Sequence, residues 1–189
     1  MKRIRSALKR AWTKVKEVAK KIFTKRNVVQ VVRSVSTLAV TGYVMAYFLP
    51  LWLAGIITSV VVAHEFGHFF TAVKEKRQVN WPYFIPMFWT IGGFTRVKGM
   101  GQGIYPESDM KILSAGSIVG SIVAVAIAVV SLGLGFYPGV YVASAQLLFQ
   151  LYAGLFGSDG RKLREARKYA AIEDEAFGPV QEFIPSMAG

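Results

Sequence analysis

Two long apolar blocks dominate the chain. Between Ser34 and Val73 the only formal charge is Glu65, and between Ile112 and Ser158 there is none. At 1.5 Å per residue each block is long enough for two membrane passes. Pro50 divides the first block, because the residue before a proline is biased against helix. The pattern predicts helices over about 29–48 and 51–73. Gly135 and the Pro138-Gly139 pair divide the second block, predicting helices over about 112–136 and 139–157. Residues 160–176 are polar and are expected to be helical.

The segment between the blocks is of another kind. Residues 78–111 mix prolines and glycines with Trp81, Tyr83, Phe84, Phe88, Trp89 and Phe94. Residues 93–98, Gly-Phe-Thr-Arg-Val-Lys, alternate like a strand. Irregular backbone at membrane depth survives only where protein buries it or it lines a wet cavity. The expected fold is therefore an all-α polytopic membrane protein. It has four transmembrane helices and a small re-entrant or β segment between the second and third. A basic amphipathic helix precedes them. Three regions result: an interfacial helix over 1–27, a four-helix core over 28–159 and a tail over 160–189.

Composition agrees with a membrane setting: 53% hydrophobic, 18% charged and mean hydropathy +0.38. The net charge of +12 is unevenly spread, with eleven of 23 Lys and Arg before Val28. Ile4, Leu8, Trp12, Val15, Val18, Ile22 and Phe23 recur there at helical spacing, which suits a helix lying on an anionic lipid surface rather than a nucleic-acid arm. No cleavable signal peptide is expected, since the basic start is too long and no small-residue cleavage site follows it. Every Lys and Arg lies in 2–33, 74–111 or 161–168. Four crossings put these regions on one face, which the positive-inside rule makes cytoplasmic, with both termini. The absence of cysteine excludes disulfides, thiolate nucleophiles and thiolate metal ligands.

Chemistry concentrates in His64-Glu-Phe-Gly-His68. Histidines at i and i+4 share one face of a helix and can grip one Zn2+, while Glu65 is placed to take a proton from a bound water. These are the only two histidines, and an acid at membrane depth usually marks a functional site. A catalytic zinc needs a third protein ligand. With no further histidine or cysteine this must be a carboxylate, and Asp159, Glu107 and Asp109 are the candidates. Asp159 reads equally well as a helix cap.

These residues resemble the site-2 protease family of intramembrane zinc metalloproteases, over about 59–162. His64-Glu-Phe-Gly-His68 is a common form of that family's zinc motif. The stretches 81–86 and 92–98 resemble the segment that follows it. Residues 114–120 resemble its small-residue helix start, and 148–160 the stretch that ends in Asp-Gly. The resemblance implies one Zn2+ per chain on His64, His68 and Asp159, with Glu65 catalytic. It implies hydrolysis of peptide bonds within or near the membrane segments of membrane-protein substrates. Residues 90–98 then offer a strand edge to an extended peptide, and Gly92, Gly93, Phe94 and Gln150 are the candidate substrate-binding residues. The chain departs from the family pattern at Ser117, where a proline is usual, and at Gly120 and Gln150, which replace asparagines. The alternative is a non-catalytic membrane adaptor that keeps the fold.

Overall fold

The computed structural model of the chain describes residues 25–87 and 90–177. Most of the expected amphipathic helix lies outside them. Among the described residues the order is α1 (Lys25–Phe48), α2 (Leu51–Lys74), β1 (Tyr83–Met87), β2 (Thr90–Phe94), α3 (Pro106–Gly133), α4 (Tyr137–Leu155) and α5 (Ser158–Phe177). Four stretches are long and apolar enough to cross a membrane: Val28–Phe48, Leu51–Lys74, Pro106–Gly133 and Tyr137–Ile172. The fourth runs through α4 into α5.

Pro50 ends α1 and opens α2, as the sequence predicts. The third helix starts six residues before the expected position. Pro106 sits at its N-terminus, where a missing N–H costs nothing, and Glu107 and Asp109 complement the positive end of the helix dipole in the first turn. Hydropathy marked the edge of the apolar run, whereas the helix extends a charged turn beyond it. Between α3 and α4 the chain reverses at Gly135, whose φ of +66° is left-handed.

The strand also differs from expectation. β1 and β2 form an antiparallel hairpin in which Tyr83 faces Phe94 and Met87 faces Thr90. The predicted strand at 93–98 thus begins and ends earlier. Thr95 leaves the ladder because its hydroxyl is tied to Glu65 on α2. Beyond it, Val97 forms an isolated bridge with Val79. The hairpin and the residues before it are fastened to α1: Thr37 Oγ1 accepts from Phe84 N (3.2 Å), Gln30 Oε1 accepts from Trp81 N (3.1 Å), and the Arg33 guanidinium lies 4.8 Å from the Tyr83 ring centroid. Among the described residues no third strand joins the sheet.

α3 is the central helix and packs on α2, α4 and α5. Small residues set its approach to α2: a Cβ on Gly67 would lie 2.7 Å from the Ala115 carbonyl oxygen. Below the site, Met45, Ala54, Ile57, Phe84 and Ile91 join α1, α2 and the hairpin into one apolar cluster. Above it, Ala72, Val97 and Ile112 form another.

A buried ion pair locks the end of α2 to the start of α3. Arg77 Nη1 donates to Asp109 Oδ1 at 3.1 Å, and Gly101 N donates to Asp109 Oδ2 at 2.8 Å. Asp109 is 1% exposed. Removing one member of such a pair strands the other charge, so Asp109→Ala is expected to cost about 3 kcal/mol. The exposed Glu107→Gln on the same turn should stay within about 0.5 kcal/mol. Reversible unfolding in mixed micelles measures both, and equal stability of the two variants would contradict the assignment.

Candidate metal centre

His64 and His68 leave successive turns of α2 and meet Asp159, which enters from the first turn of α5. His64 Nε2 is 3.0 Å from His68 Nε2, and Asp159 Oδ2 is 3.2 and 3.3 Å from the two. Both imidazoles are largely buried, at 12% and 8% exposed.

The outer ring nitrogens fix which atoms face that triangle. His68 Nδ1 is 2.7 Å from the Ile112 carbonyl oxygen, and His64 Nδ1 is 2.6 Å from Gln150 Oε1. Both oxygens only accept, so each Nδ1 carries the proton and, in the neutral rings, each Nε2 presents a lone pair. Three acceptors then converge with no hydrogen between them. A shared proton would bridge only two of them, whereas a metal ion satisfies all three. Tetrahedral zinc with bonds near 2.0–2.1 Å holds its ligand atoms about 3.3 Å apart. The donor set and its spacing therefore fit Zn2+, and the two Nδ1 contacts are of the kind that orients metal-bound histidines.

Glu65 lies beside this triangle and is buried, at 7% exposed. Thr95 Oγ1 is 2.7 Å from Glu65 Oε2 and 3.0 Å from the Glu65 carbonyl oxygen. Donation to the carboxylate holds its rotamer. The triangle and Glu65 open into a cleft of about 710 Å³ that Gly93, Phe94, Gln150 and Lys162 also line.

Glycines make the close approaches possible. A Cβ on Gly93 would lie 2.3 Å from Glu65 Cγ, and one on Gly116 2.3 Å from His68 Nε2. One on Gly120 would lie 2.8 Å from Gln150 Oε1, so two departures from the family pattern touch each other: the side chain missing at 120 leaves room for the longer amide at 150.

Of the three carboxylates the sequence left open, Asp159 alone joins the histidines. Asp109 is spent on Arg77 and Gly101, and Glu107 is exposed on α3. Gly93 and Phe94 line the cleft. Gly92 is in β2 beside them, with Met87 and Phe94 side chains around it. Gln150 lines the cleft as well, but its carbonyl is engaged by His64, a contact that sequence reasoning missed. Thr95, Gly116 and the Ile112 carbonyl were missed too. Only Gly116 gave a signal, as part of the small-residue stretch 114–120.

Gly116→Ala is expected to push His68 out of the triangle and reduce bound metal to well under half of the wild-type content. Gly93→Ala should displace Glu65 and leave the metal in place. Gly42→Ala, where nothing lies within 4 Å, serves as the control. Metal analysis of the purified variants decides, and full metal retention by Gly116→Ala would contradict the geometry.

Comparison with known proteins identifies the family. Residues 52–186 match the model of peptidase family M50. Over 100 residues the chain is 32% identical to the Arabidopsis thaliana protein described as "Probable zinc metalloprotease EGY1, chloroplastic", covering 52% of this chain and 18% of that relative. The chain thus spans less than a fifth of the length of the curated relative it matches. No solved structure matches. With a family match over most of its length, four helices able to cross a membrane and the motif of α2 inside the matched region, the chain belongs to peptidase family M50, the site-2 protease family of membrane zinc metalloproteases.

Proposed function

We propose that this protein is an intramembrane zinc metalloprotease that cleaves peptide bonds within or near the membrane segments of membrane-protein substrates. The observation that carries the reading is the convergence of three acceptor atoms from His64, His68 and Asp159 next to the buried Glu65.

In this reading His64, His68 and Asp159 hold one Zn2+, which when bound supplies Lewis acidity and lowers the pKa of its water toward about 7. Glu65 takes a proton from the attacking water and delivers it to the leaving amine. Thr95 keeps Glu65 turned into the cleft, and Gln150 and the Ile112 carbonyl keep the two imidazoles in the tautomer that faces the ligand site. The low-dielectric surroundings strengthen each of these interactions.

A helical substrate hides its scissile carbonyl in its own backbone hydrogen bonds and must open locally. β1 is fastened to α1, whereas β2 carries Gly93 against Glu65 and, among the described residues, has no second strand partner. Its free edge supports pairing with an extended substrate strand, with Gly92, Gly93 and Phe94 beside the peptide. The clustering of all Lys and Arg at one end of the four spans supports placing that end, and the cleft, on the cytoplasmic side. The basic segment 1–27 would then lie on the anionic lipid of the same leaflet.

Glu65→Gln is expected to abolish cleavage of a membrane-embedded substrate in proteoliposomes while retaining one zinc per chain. Asp159→Ala should lose both zinc and cleavage. Cleavage that survives Glu65→Gln would remove the catalytic assignment. A cellular role that survives it, with cleavage absent, would favour the adaptor alternative.

A further inference from the structure

A second cavity, of about 1080 Å³, lies across the 95–98 segment from the catalytic cleft and is larger than it. Its lining combines two chemistries that a single ligand class satisfies. Lys76, Arg96 and Lys98 supply cationic groups, and no Asp or Glu is among the lining residues. Arg77 lines it too, but its charge is met by Asp109. Among the described residues, no carboxylate pairs with Lys76, Arg96 or Lys98. Three like charges around one space repel one another, and an anion between them relieves the repulsion.

The opposite wall is apolar. Phe69, Phe70 and Val73 form it, on the last turns of α2. Phe70 and Val73 are 62% and 51% exposed on a helix able to span the membrane, so this wall opens toward hydrocarbon. Trp81 packs on Phe69 with ring centroids 4.9 Å apart and planes tilted by 38°, and its backbone N–H donates to Gln30 Oε1, which also lines the cavity. An aromatic ring at that level is a mark of the membrane–water boundary. Lys76 stands where the helix ends, at a φ of +57° that glycine would adopt without strain. A long cation occupies a position where backbone geometry favours a residue with no side chain.

At 100° per residue, Phe69, Phe70 and Val73 leave α2 on the side away from His64 and His68. A peptide in the catalytic cleft therefore does not run along this wall. We infer that the cavity holds one anionic phospholipid, with its phosphate among Lys76, Arg96 and Lys98 and an acyl chain along Phe70 and Val73. The residues that line it lie outside segment 1–27 in the sequence, and the inference does not depend on the protease reading. Arg96, Val97 and Met100 line both cavities, so the lipid touches the segment that brings Thr95 to Glu65.

The test is native mass spectrometry of the full chain, offered equimolar phosphatidylglycerol and phosphatidylcholine of the same acyl length. Wild type is expected to retain one phosphatidylglycerol in preference. K76Q/K98Q should reduce that preference by roughly tenfold or more, given about 1 kcal/mol per basic residue at a lipid surface. A variant with every Lys and Arg of residues 2–26 changed to Gln should keep it. Helical circular dichroism and a single gel-filtration peak establish that each variant is folded, and Lys98→Gln alone replaces the double variant if that fails. Equal retention of the two lipids by wild type would overturn the inference. So would a preference that follows residues 2–26 and ignores K76Q/K98Q. Displacement of bound lipid by a soluble acidic peptide would reassign the cavity to an acidic protein segment.

Discussion

Three lone pairs cannot rest 3.0–3.3 Å apart in a buried site unless something positive lies among them. That electrostatic requirement organises this protein. Two imidazoles and a carboxylate converge from α2 and α5, and each imidazole is turned inward by a hydrogen bond on its far side. A cation among those atoms would join α2, α3, α4 and α5 at one point, because Ile112 belongs to α3 and Gln150 to α4.

The rest of the fold accommodates this crowding. α3 passes close to α2 because Gly67 and Gly116 lack side chains at the crossing, and His68 occupies the space a Gly116 side chain would fill. The hairpin reaches Glu65 because Gly93 also lacks one. Such economy of volume suits a lipid setting, where helices gain little from hydrophobic burial against one another and depend on close packing and polar contacts. It also makes the site intolerant of added volume, so single methyl groups separate metal binding from positioning of the base.

How much of this the sequence displayed depends on the range of each interaction. His64, Glu65 and His68 were legible because the helical repeat alone puts i and i+4 on one face. The four apolar spans were legible because bilayer thickness fixes their length. Asp159 lies 91 residues beyond His68, and the residues alone left it one of three candidate carboxylates, as readily a helix cap as a ligand. The resemblance to a known family favoured it, and the fold shows why the others are spent or exposed. Gln150, Thr95 and the Ile112 carbonyl act through tertiary contacts that no local pattern encodes. The early start of α3 was missed for a different reason: hydropathy locates the lipid-facing part of a helix, while proline and acidic residues locate its end. The strand was displaced by one hydroxyl, since Thr95 turns to Glu65 and leaves the ladder with Tyr83–Met87.

The central claim concerns what those three atoms hold, and zinc-edge X-ray absorption on the purified full-length chain addresses it directly. The account predicts zinc with about four nitrogen or oxygen neighbours near 2.0–2.1 Å, outer-shell scattering from two imidazoles and no sulfur. A folded chain without zinc, or with a zinc that shows no imidazole scattering, would contradict it.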